Sequence, residues 1–477
     1  MGATGPVTKD VLQRLRSVTG PAGIIEDPAD VAPYCKSWRD DWQGKVPAVL
    51  RPQSTEEVAR IVRICAEAGI GIIPQGGNTG LTGAGQPITD TAEIILSTSR
   101  MKKIRAIDTV NDTITVEAGV VLKEIQDAAD RADRLFPLSL GAEGSCQIGG
   151  NISTNAGGVQ VLRYGNTRNL VLGLEVVLPD GRIWDGLRSL RKDNTGYDMK
   201  QLFIGGEGTL GVITAAVLRL FPKPTARETA WVALDSPEAG VALLGHMRRQ
   251  MGDAVSALEL ICRAIIDFLL TGVPGHEDPM RTPYPWYVLM DVTSQGPAGS
   301  LHGPFSEALA GAQEAGLIRD ALICASGAQA AKLWKIRESL AEAQLSAGGS
   351  IAHDVSVPVS RIPEFLKRAD AMLEKAYPGI RHCAFGHVGD GNMHYNPVRP
   401  KDWDWPRFSA ERANVNRIVH DIVVELGGSI SAEHGIGRSR LAELEHYKDP
   451  IELDMMRALK RTLDPKGIMN PGKVIRV

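Results

Sequence analysis

The 477-residue sequence predicts an α+β protein, and three observations carry the prediction. Residues 48–74 read strand, helix, strand; short apolar strands dominate from residue 94 to about 221; and after Pro222-Lys-Pro strands alternate with amphipathic helices. The change of texture at Pro222 sets a domain boundary, in keeping with roughly 100–200 residues per domain. We therefore expect an N-terminal domain over 1–222, an α+β domain over 223–430 and a C-terminal segment over 431–477.

Residues 9–18 read as an opening helix, and Ala48-Val-Leu-Arg-Pro as a short strand. Ser54 is the N-cap of the next helix, with Glu57 three residues on, and Val58, Ile61, Val62 and Cys65 recur on one helical face. Ile70-Gly-Ile-Ile-Pro is a strand that runs into a glycine-rich turn. Further strands are expected at Glu93–Leu96, Thr113–Glu117, Gly173–Leu178 and Gly211–Leu220, with Pro179-Asp-Gly-Arg as a hairpin turn. In the second part Thr229–Leu234 and Tyr287–Val292 read as strands and 237–251 and 305–315 as helices. One long helix is expected over 407–426, and a last helix near 450–463 precedes an irregular tail.

With 43 % apolar and 23 % charged residues the composition is that of an ordinary globular protein, which excludes disorder and collagen-like repeats. A net charge of −3 argues against a general nucleic-acid or membrane-surface binder. No apolar run approaches the roughly 18–20 residues that span a bilayer. The amino terminus lacks the basic start and apolar core of a signal peptide, and Pro6 stands where a myristoylation motif needs Ser or Thr. Six scattered cysteines without a CxxC pair fit reduced thiols, so a cytoplasmic location is expected.

The strongest local feature is Pro74–Gly85, in which five of twelve residues are glycine. Each glycine costs backbone entropy on ordering, but permits positive φ and successive N–H groups facing an anion, as at diphosphate sites. Gly141–Gly158 has the same character, with hydroxyl and amide donors interleaved. Either alone suits a mobile loop equally well; two such elements flanking regular strands point to a cofactor. No G-x-G-x-x-G stands between strand and helix with an acid about twenty residues on, which argues against a Rossmann NAD site. Gly467-Ile-Met-Asn-Pro-Gly-Lys-Val has P-loop spacing, but Val474 replaces the magnesium-binding Ser or Thr, and the chain ends too soon for the capping helix.

Pro74–Gly85, Gly141–Gly158 and Gly205-Gly-Glu-Gly-Thr-Leu-Gly-Val-Ile-Thr together resemble the flavin-binding half of the vanillyl-alcohol oxidase/p-cresol methylhydroxylase superfamily. His387-Val-Gly-Asp-Gly-Asn-Met-His394, Ser431-Ala-Glu-His-Gly435 and the tail Asp464-Pro-Lys-Gly-Ile-Met-Asn-Pro-Gly-Lys473 resemble its FAD-linked D-2-hydroxyacid dehydrogenase branch. That branch holds D-2-hydroxyglutarate dehydrogenase, D-lactate dehydrogenase and the glycolate oxidase catalytic subunit. The resemblance covers nearly the whole chain. It implies an FAD-binding domain, an α+β substrate (cap) domain and a C-terminal segment returning to the flavin. The FAD diphosphate would rest on the loop that opens at Pro74, on Gly76, Gly77, Asn78, Thr79 and Gly80. Gly144, Ser145, Gly149, Gly150, Thr154, Asn155 and Ile213 would line the isoalloxazine and ribityl chain, and Asn470 in the tail would touch the cofactor. Some relatives link FAD through a histidine directly after the Gly-Gly pair; Asn78 stands there, so non-covalent FAD is expected.

His387 and His394 bracket Gly389-Asp-Gly391, a sharp turn, so strand–turn–strand folds both imidazoles towards one point. Glu433-His434 follows a strand-like Ser-Ile-Ser-Ala, and neighbours on a strand point to opposite sides. Glu433 would then complete a two-His, one-carboxylate site while His434 serves elsewhere. Three protein ligands and an open position are the arrangement of a catalytic metal, with zinc the first choice and manganese or cobalt also suited. His353, His382, His420 and His446 read as ordinary surface or core histidines, and no H-E-x-x-H helix supports a zinc protease.

Oxidising an α-hydroxy acid removes a proton from oxygen and a hydride from carbon. A cation chelated by the substrate would acidify the hydroxyl, neutral His434 would take the proton, and hydride would pass to flavin N5. Arg337, within Leu333-Trp-Lys-Ile-Arg-Glu-Ser, resembles the family's carboxylate-binding arginine, and Asn396 is expected to orient substrate. The hydroxyglutarate enzymes carry a Thr four residues after that arginine and a Lys further on, where this chain has Ala341 and Ala352. That departure favours D-lactate or another short D-2-hydroxy acid, with D-2-hydroxyglutarate and D-malate open if Arg163 or Lys200 reaches in. An electron-accepting protein or quinone is the expected partner, and a homodimer an open assembly. Two alternatives stand beside this reading: a metal-independent flavin oxidase of the same fold, and a flavin-bearing non-catalytic subunit.

Overall fold

The computed structural model describes residues 5–38, 42–88 and 92–477. Helices and strands alternate in two units, as the α+β expectation requires. One unit comprises Met1–Gly158, Gly165–Lys223 and Glu433–Val477; the other comprises Val159–Tyr164 and Pro224–Ala432. Among the described residues no helix is long and apolar enough to cross a membrane.

In the first unit the Ser54 side chain accepts the amide of Glu57 and starts helix Thr55–Ala68, which Gly69 ends in the left-handed region at φ +68°. Val58, Ile61, Val62 and Cys65 face the core. The next strand, Gly71–Gln75, pairs in parallel with Glu93–Ser97, which is also parallel to Val49–Leu50. Ligands gather at the carboxyl ends of parallel strands, and the carboxyl end of Gly71–Gln75 opens into the first glycine loop. Buried Gln75 donates its side-chain amide to the carbonyls of Tyr34 and Gly85, each at 2.8 Å, and so pins the stem of that loop. A second sheet holds five antiparallel strands in the order 104–108, 113–117, 212–219, 171–177, 183–186. Its last two strands form the expected hairpin around Gly181, at φ +79°.

After helix Pro450–Leu463 the tail is stitched to strand Gly71–Gln75 by hydrogen bonds from Ile72 N–H to Ile468 and from Asn470 N–H to Ile72. Lys473, in the P-loop-like stretch, is buried with its ammonium donating to the Pro471 carbonyl.

The second unit is built on one antiparallel sheet. Its strands are β1 (Ala226–Leu234), β2 (Val255–Cys262), β3 (Trp286–Ser294), β4 (Asp320–Ile323), β5 (His353–Ser356), β6 (Ala384–His387) and β7 (Asn392–Tyr395). Their order is β4-β1-β3-β2-β6-β7-β5. Facing residues of an antiparallel pair share a side of the sheet, and successive residues alternate. Ala384, Met393, Tyr395 and Val355 therefore share one face, which packs under helices Pro237–Met251, His302–Glu314, Ile362–Ala376 and Arg412–Glu425. On the other face Trp231, Ile261, Tyr287, Leu289 and Phe385 pack against helices Arg263–Gly272 and Gly327–Ser346. Register also puts Glu259, His387, Asn392, His394 and Asp354 on this second face.

The long helix expected over 407–426 is two helices, Trp405–Ala410 and Arg412–Glu425. The break falls at Glu411, whose carboxylate accepts from the Tyr377 hydroxyl and the Asn414 amide.

Candidate functional site

The two glycine elements of the first unit lie back to back. A Cβ on Gly77 would stand 2.2 Å from the Ser145 carbonyl oxygen, and one on Gly76 would meet Gly150 N at 3.5 Å. On their open side the situation reverses, for a Cβ on Gly80, Gly144 or Gly150 would find no atom within 4 Å. The third element joins through Gly208, whose Cβ would meet Pro74 Cγ at 2.9 Å. Asn470, buried and at φ +41°, donates its amide to the carbonyls of Ala84 (3.1 Å) and Glu207 (2.7 Å), tying the first element to the third. Three buried acceptors, Gln75 Oε1, Asn151 Oδ1 and Asn470 Oδ1, lack a donor among the described residues. Unsatisfied buried oxygens call for a missing partner. An open glycine surface beside them fits FAD, whose ribityl hydroxyls and ring N3–H are donors.

Several residues grouped from sequence as cofactor contacts carry structural bonds. Asn78, at φ +56°, donates its amide to the Lys36 carbonyl at 2.9 Å and accepts from the Gln86 amide at 2.6 Å, so it braces its loop. Gly149 packs under Ala118, Thr154 donates its hydroxyl to the Gly150 carbonyl at 3.1 Å, and Asn155 Oδ1 accepts the Arg168 amide. Ser145 donates its hydroxyl to Ala142, and Ile213 is buried in the second sheet.

Glu207 links the third element to the segment that follows His434. Its carboxylate accepts the backbone amides of Ile436 and Gly437 at 2.8 and 2.9 Å. Burial pushes this carboxyl up to about 7, against the downward pull of those two amides and of Arg440. Thr82, in the first loop, donates its hydroxyl to the His434 carbonyl at 3.4 Å and accepts the amides of Arg438 and Ser439 at its own carbonyl.

In the second unit the β6–turn–β7 hairpin brings the His387 and His394 ring centroids to 5.7 Å, as the spacing around Gly389–Gly391 leads one to expect. Asp354 Oδ1, which accepts the Asn392 amide at 2.9 Å, lies 3.9 Å from His394 Nδ1. Ala432 donates its amide to the Asp354 carbonyl at 3.1 Å, and the next two residues in the chain are Glu433 and His434. Asp354 and His394 of the second unit, and Glu433 and His434 of the first, are side chains that can each offer a ligand atom to a metal. Nitrogen and carboxylate donors of this kind suit zinc, manganese or cobalt. The expected opposition of Glu433 and His434 does not hold. They sit in a bend, not on a strand, with Glu433 Oε1 only 3.9 Å from His434 Nε2. The cause is the turn after them, where Gly435 and Gly437 take φ of +82° and +53°.

Arg337 projects from helix Gly327–Ser346 on to the same face of the sheet, with its guanidinium 4.8 Å from the Phe385 ring centroid. It pairs through Nε with Glu259, a fully buried carboxylate of β2 that also meets His387 Nδ1. Burial alone would raise the Glu259 carboxyl, but Arg337 and His387 hold it down at about 2. Asn396 accepts the His353 amide at Oδ1 (2.8 Å) and donates to Gln344 Oε1 (3.1 Å), so its side chain is built into the edge of the sheet. Arg163 bonds the carbonyl and hydroxyl of Thr293, and Lys200 pairs with Asp198, so neither is offered to a second substrate carboxylate.

Sequence reasoning missed Glu259, Asp354, Gln344 and Glu207. The signal in the first case was a single acid in an apolar run, Ala257-Leu-Glu-Leu-Ile, which a buried strand tolerates only with a partner.

Residues 46–186 match the family of FAD binding domains, and residues 223–474 match the C-terminal domain of FAD linked oxidases. The D-2-hydroxyglutarate dehydrogenase of Stutzerimonas stutzeri is 35 % identical over 470 residues, covering 97 % of this chain and 98 % of that protein. The mitochondrial D-2-hydroxyglutarate dehydrogenase of Bos taurus is 38 % identical over 475 residues, covering 98 % of this chain and 84 % of that protein. Among solved structures, p-cresol methylhydroxylase superposes with a TM-score of 0.74 at 18 % identity, over 97 % of this chain and 96 % of its own. A 4-ethylphenol oxidase from Gulosibacter chungangensis gives 0.73 at 20 % identity, over 98 % of each chain, and both likenesses speak to the fold. The chain belongs to the FAD-linked oxidase family, on the vanillyl-alcohol oxidase/p-cresol methylhydroxylase fold, and is an FAD-dependent dehydrogenase.

Proposed function

We propose that this protein oxidises a D-2-hydroxy acid to the 2-oxo acid with non-covalent FAD and a divalent cation. The observation that carries the reading is the hairpin that sets His387 and His394 side by side on one face of the sheet, with the Asp354 carboxylate 3.9 Å from His394 Nδ1. When bound, FAD would supply a two-electron acceptor and the cation a Lewis acid, neither of which side chains can provide. His387, His394 and Glu433 would hold the cation, with the Asp354 carboxylate beside His394. His434 would take the hydroxyl proton at a ring nitrogen. Arg337 receives the substrate carboxylate on its terminal nitrogens, as a planar fork suits a carboxylate. Asn396 would support the site from behind, through its bonds to His353 and Gln344 at the edge of the sheet. An acceptor protein or a quinone would take the electrons onward. A cytoplasmic location belongs to the same proposal, supported by six free thiols.

The named relatives favour D-2-hydroxyglutarate as substrate. The second reading, a short acid such as D-lactate, is favoured by the ties that hold Arg163 to Thr293 and Lys200 to Asp198. To test the proposal, chelator-treated protein is assayed with D-2-hydroxyglutarate, D-lactate and D-malate before and after Zn²⁺, Mn²⁺ or Co²⁺ is restored. Activity should vanish with chelator, return with one cation and be absent in His394→Ala. Undiminished activity in chelator or in that variant would overturn it.

A further inference from the structure

Glu259 lies in the middle of β2 between Leu258 and Leu260, and all three are buried. A carboxylate in such surroundings persists only when it is paired and hydrogen-bonded. Its two partners come from different elements. His387 faces it directly across the β2–β6 pair and meets it through Nδ1, while Arg337 descends from helix Gly327–Ser346 and meets it through Nε. Phe385, two residues before His387 on the same face of β6, lies under the guanidinium. A single buried carboxylate therefore grips both side chains.

We propose that Glu259 is a positioning residue that sets His387 and Arg337 together. An ionised carboxylate only accepts, so the ring proton of His387 sits on Nδ1 and the lone pair on Nε2 becomes the cation ligand. Arg337 spends its Nε on the same carboxylate, which leaves its two terminal nitrogens to face the substrate carboxylate as a fork. The inference rests on the proposed roles of His387 as ligand and Arg337 as substrate anchor, and adds the group that couples them. Glutamine at this position has one acceptor oxygen and one amide donor, and so cannot satisfy both partners.

The test uses the full chain with FAD bound and metal removed. Affinity for Zn²⁺ is measured by competition with a chromophoric chelator in wild type, Glu259→Gln, Glu259→Asp and His387→Ala. Glu259→Gln should lose roughly 10–100-fold in affinity and raise KM for the hydroxy acid, and Glu259→Asp, which keeps the charge, should recover part of both. In wild-type protein with isotope-labelled histidine nitrogens, the metal-free His387 ring should be the Nδ1–H tautomer. Wild-type Zn²⁺ affinity in His387→Ala would overturn the ligand reading and this proposal with it. Loss of affinity in His387→Ala, but not in Glu259→Gln, would overturn this proposal alone. If Glu259→Gln does not fold, the wild-type tautomer decides, and an Nε2–H ring would refute the positioning role.

Discussion

The carboxylate of Glu207 accepts the backbone amide of Gly437 at 2.9 Å. Glu207 belongs to the third glycine element, and Gly437 lies three residues past His434, so the bond fastens the proposed base to the cofactor-binding framework of its unit. The fit is close, since a Cβ on Gly435 would meet Glu207 Oε1 at 2.7 Å, and this glycine takes φ +82°. Any other residue at position 435 would be strained by its backbone as well as by the contact.

Stability should carry the mark of this carboxyl. Burial raises it from 4.5 to about 7 in the folded protein, so the fold binds its proton more tightly than the unfolded chain does. The contribution is fully present below pH 4.5 and lost as pH rises through 7. At about 1.36 kcal/mol per unit, the change is on the order of 3 kcal/mol. Thermal melts of wild type between pH 5 and 8 should therefore fall more steeply with pH than those of Glu207→Gln, which has no such proton. Parallel profiles would show that the carboxyl does not titrate in this range.

The glycine cradle separates packing from binding. Gly77→Ala forces a Cβ against the Ser145 carbonyl and should destabilise the fold by about 1–3 kcal/mol, read by urea unfolding. Gly80→Ala places its methyl in open space, so it should melt like wild type yet bind FAD at least about tenfold more weakly, a difference of about 1.4 kcal/mol. Flavin fluorescence titration of the apoprotein measures the second effect.

Asn78 braces its loop by side-chain bonds to Lys36 and Gln86, and its amide stands where a linking histidine would have to be, so FAD is expected to bind without a covalent bond there. Acid precipitation should leave all flavin in the supernatant. A yellow pellet that survives washing would contradict non-covalent binding.

Arg337→Met breaks a buried pair and leaves Glu259 with His387 alone. The expected cost is about 3–5 kcal/mol in urea unfolding, accompanied by a large rise in KM. Arg337→Lys, which keeps the charge but not the fork, should lose less stability while still raising KM.

Elements with local causes were legible in the sequence. Ser54 and Gly69 mark both ends of their helix, and the Gly389–Gly391 turn forces His387 and His394 together. The Glu433–His434 bend was not legible, because the turn beyond it is held by Glu207, 229 residues from Ile436 in sequence. Glu259 and Asp354 escaped for a related reason. Each is one acid in a short strand, and only the register of β2, β6, β7 and β5 puts them on the same face as the two histidines. The helix predicted over 407–426 failed through a side chain, as Glu411 bonds Tyr377 and Asn414 at the break.

The proposed oxidation is read out by anaerobic mixing of FAD-loaded protein with the D and L isomers of 2-hydroxyglutarate, lactate and malate, with and without chelator. The flavin should bleach with a D isomer alone, and chelator or His434→Ala should abolish the bleaching. Bleaching by L isomers only, or bleaching that chelator does not touch, would contradict it.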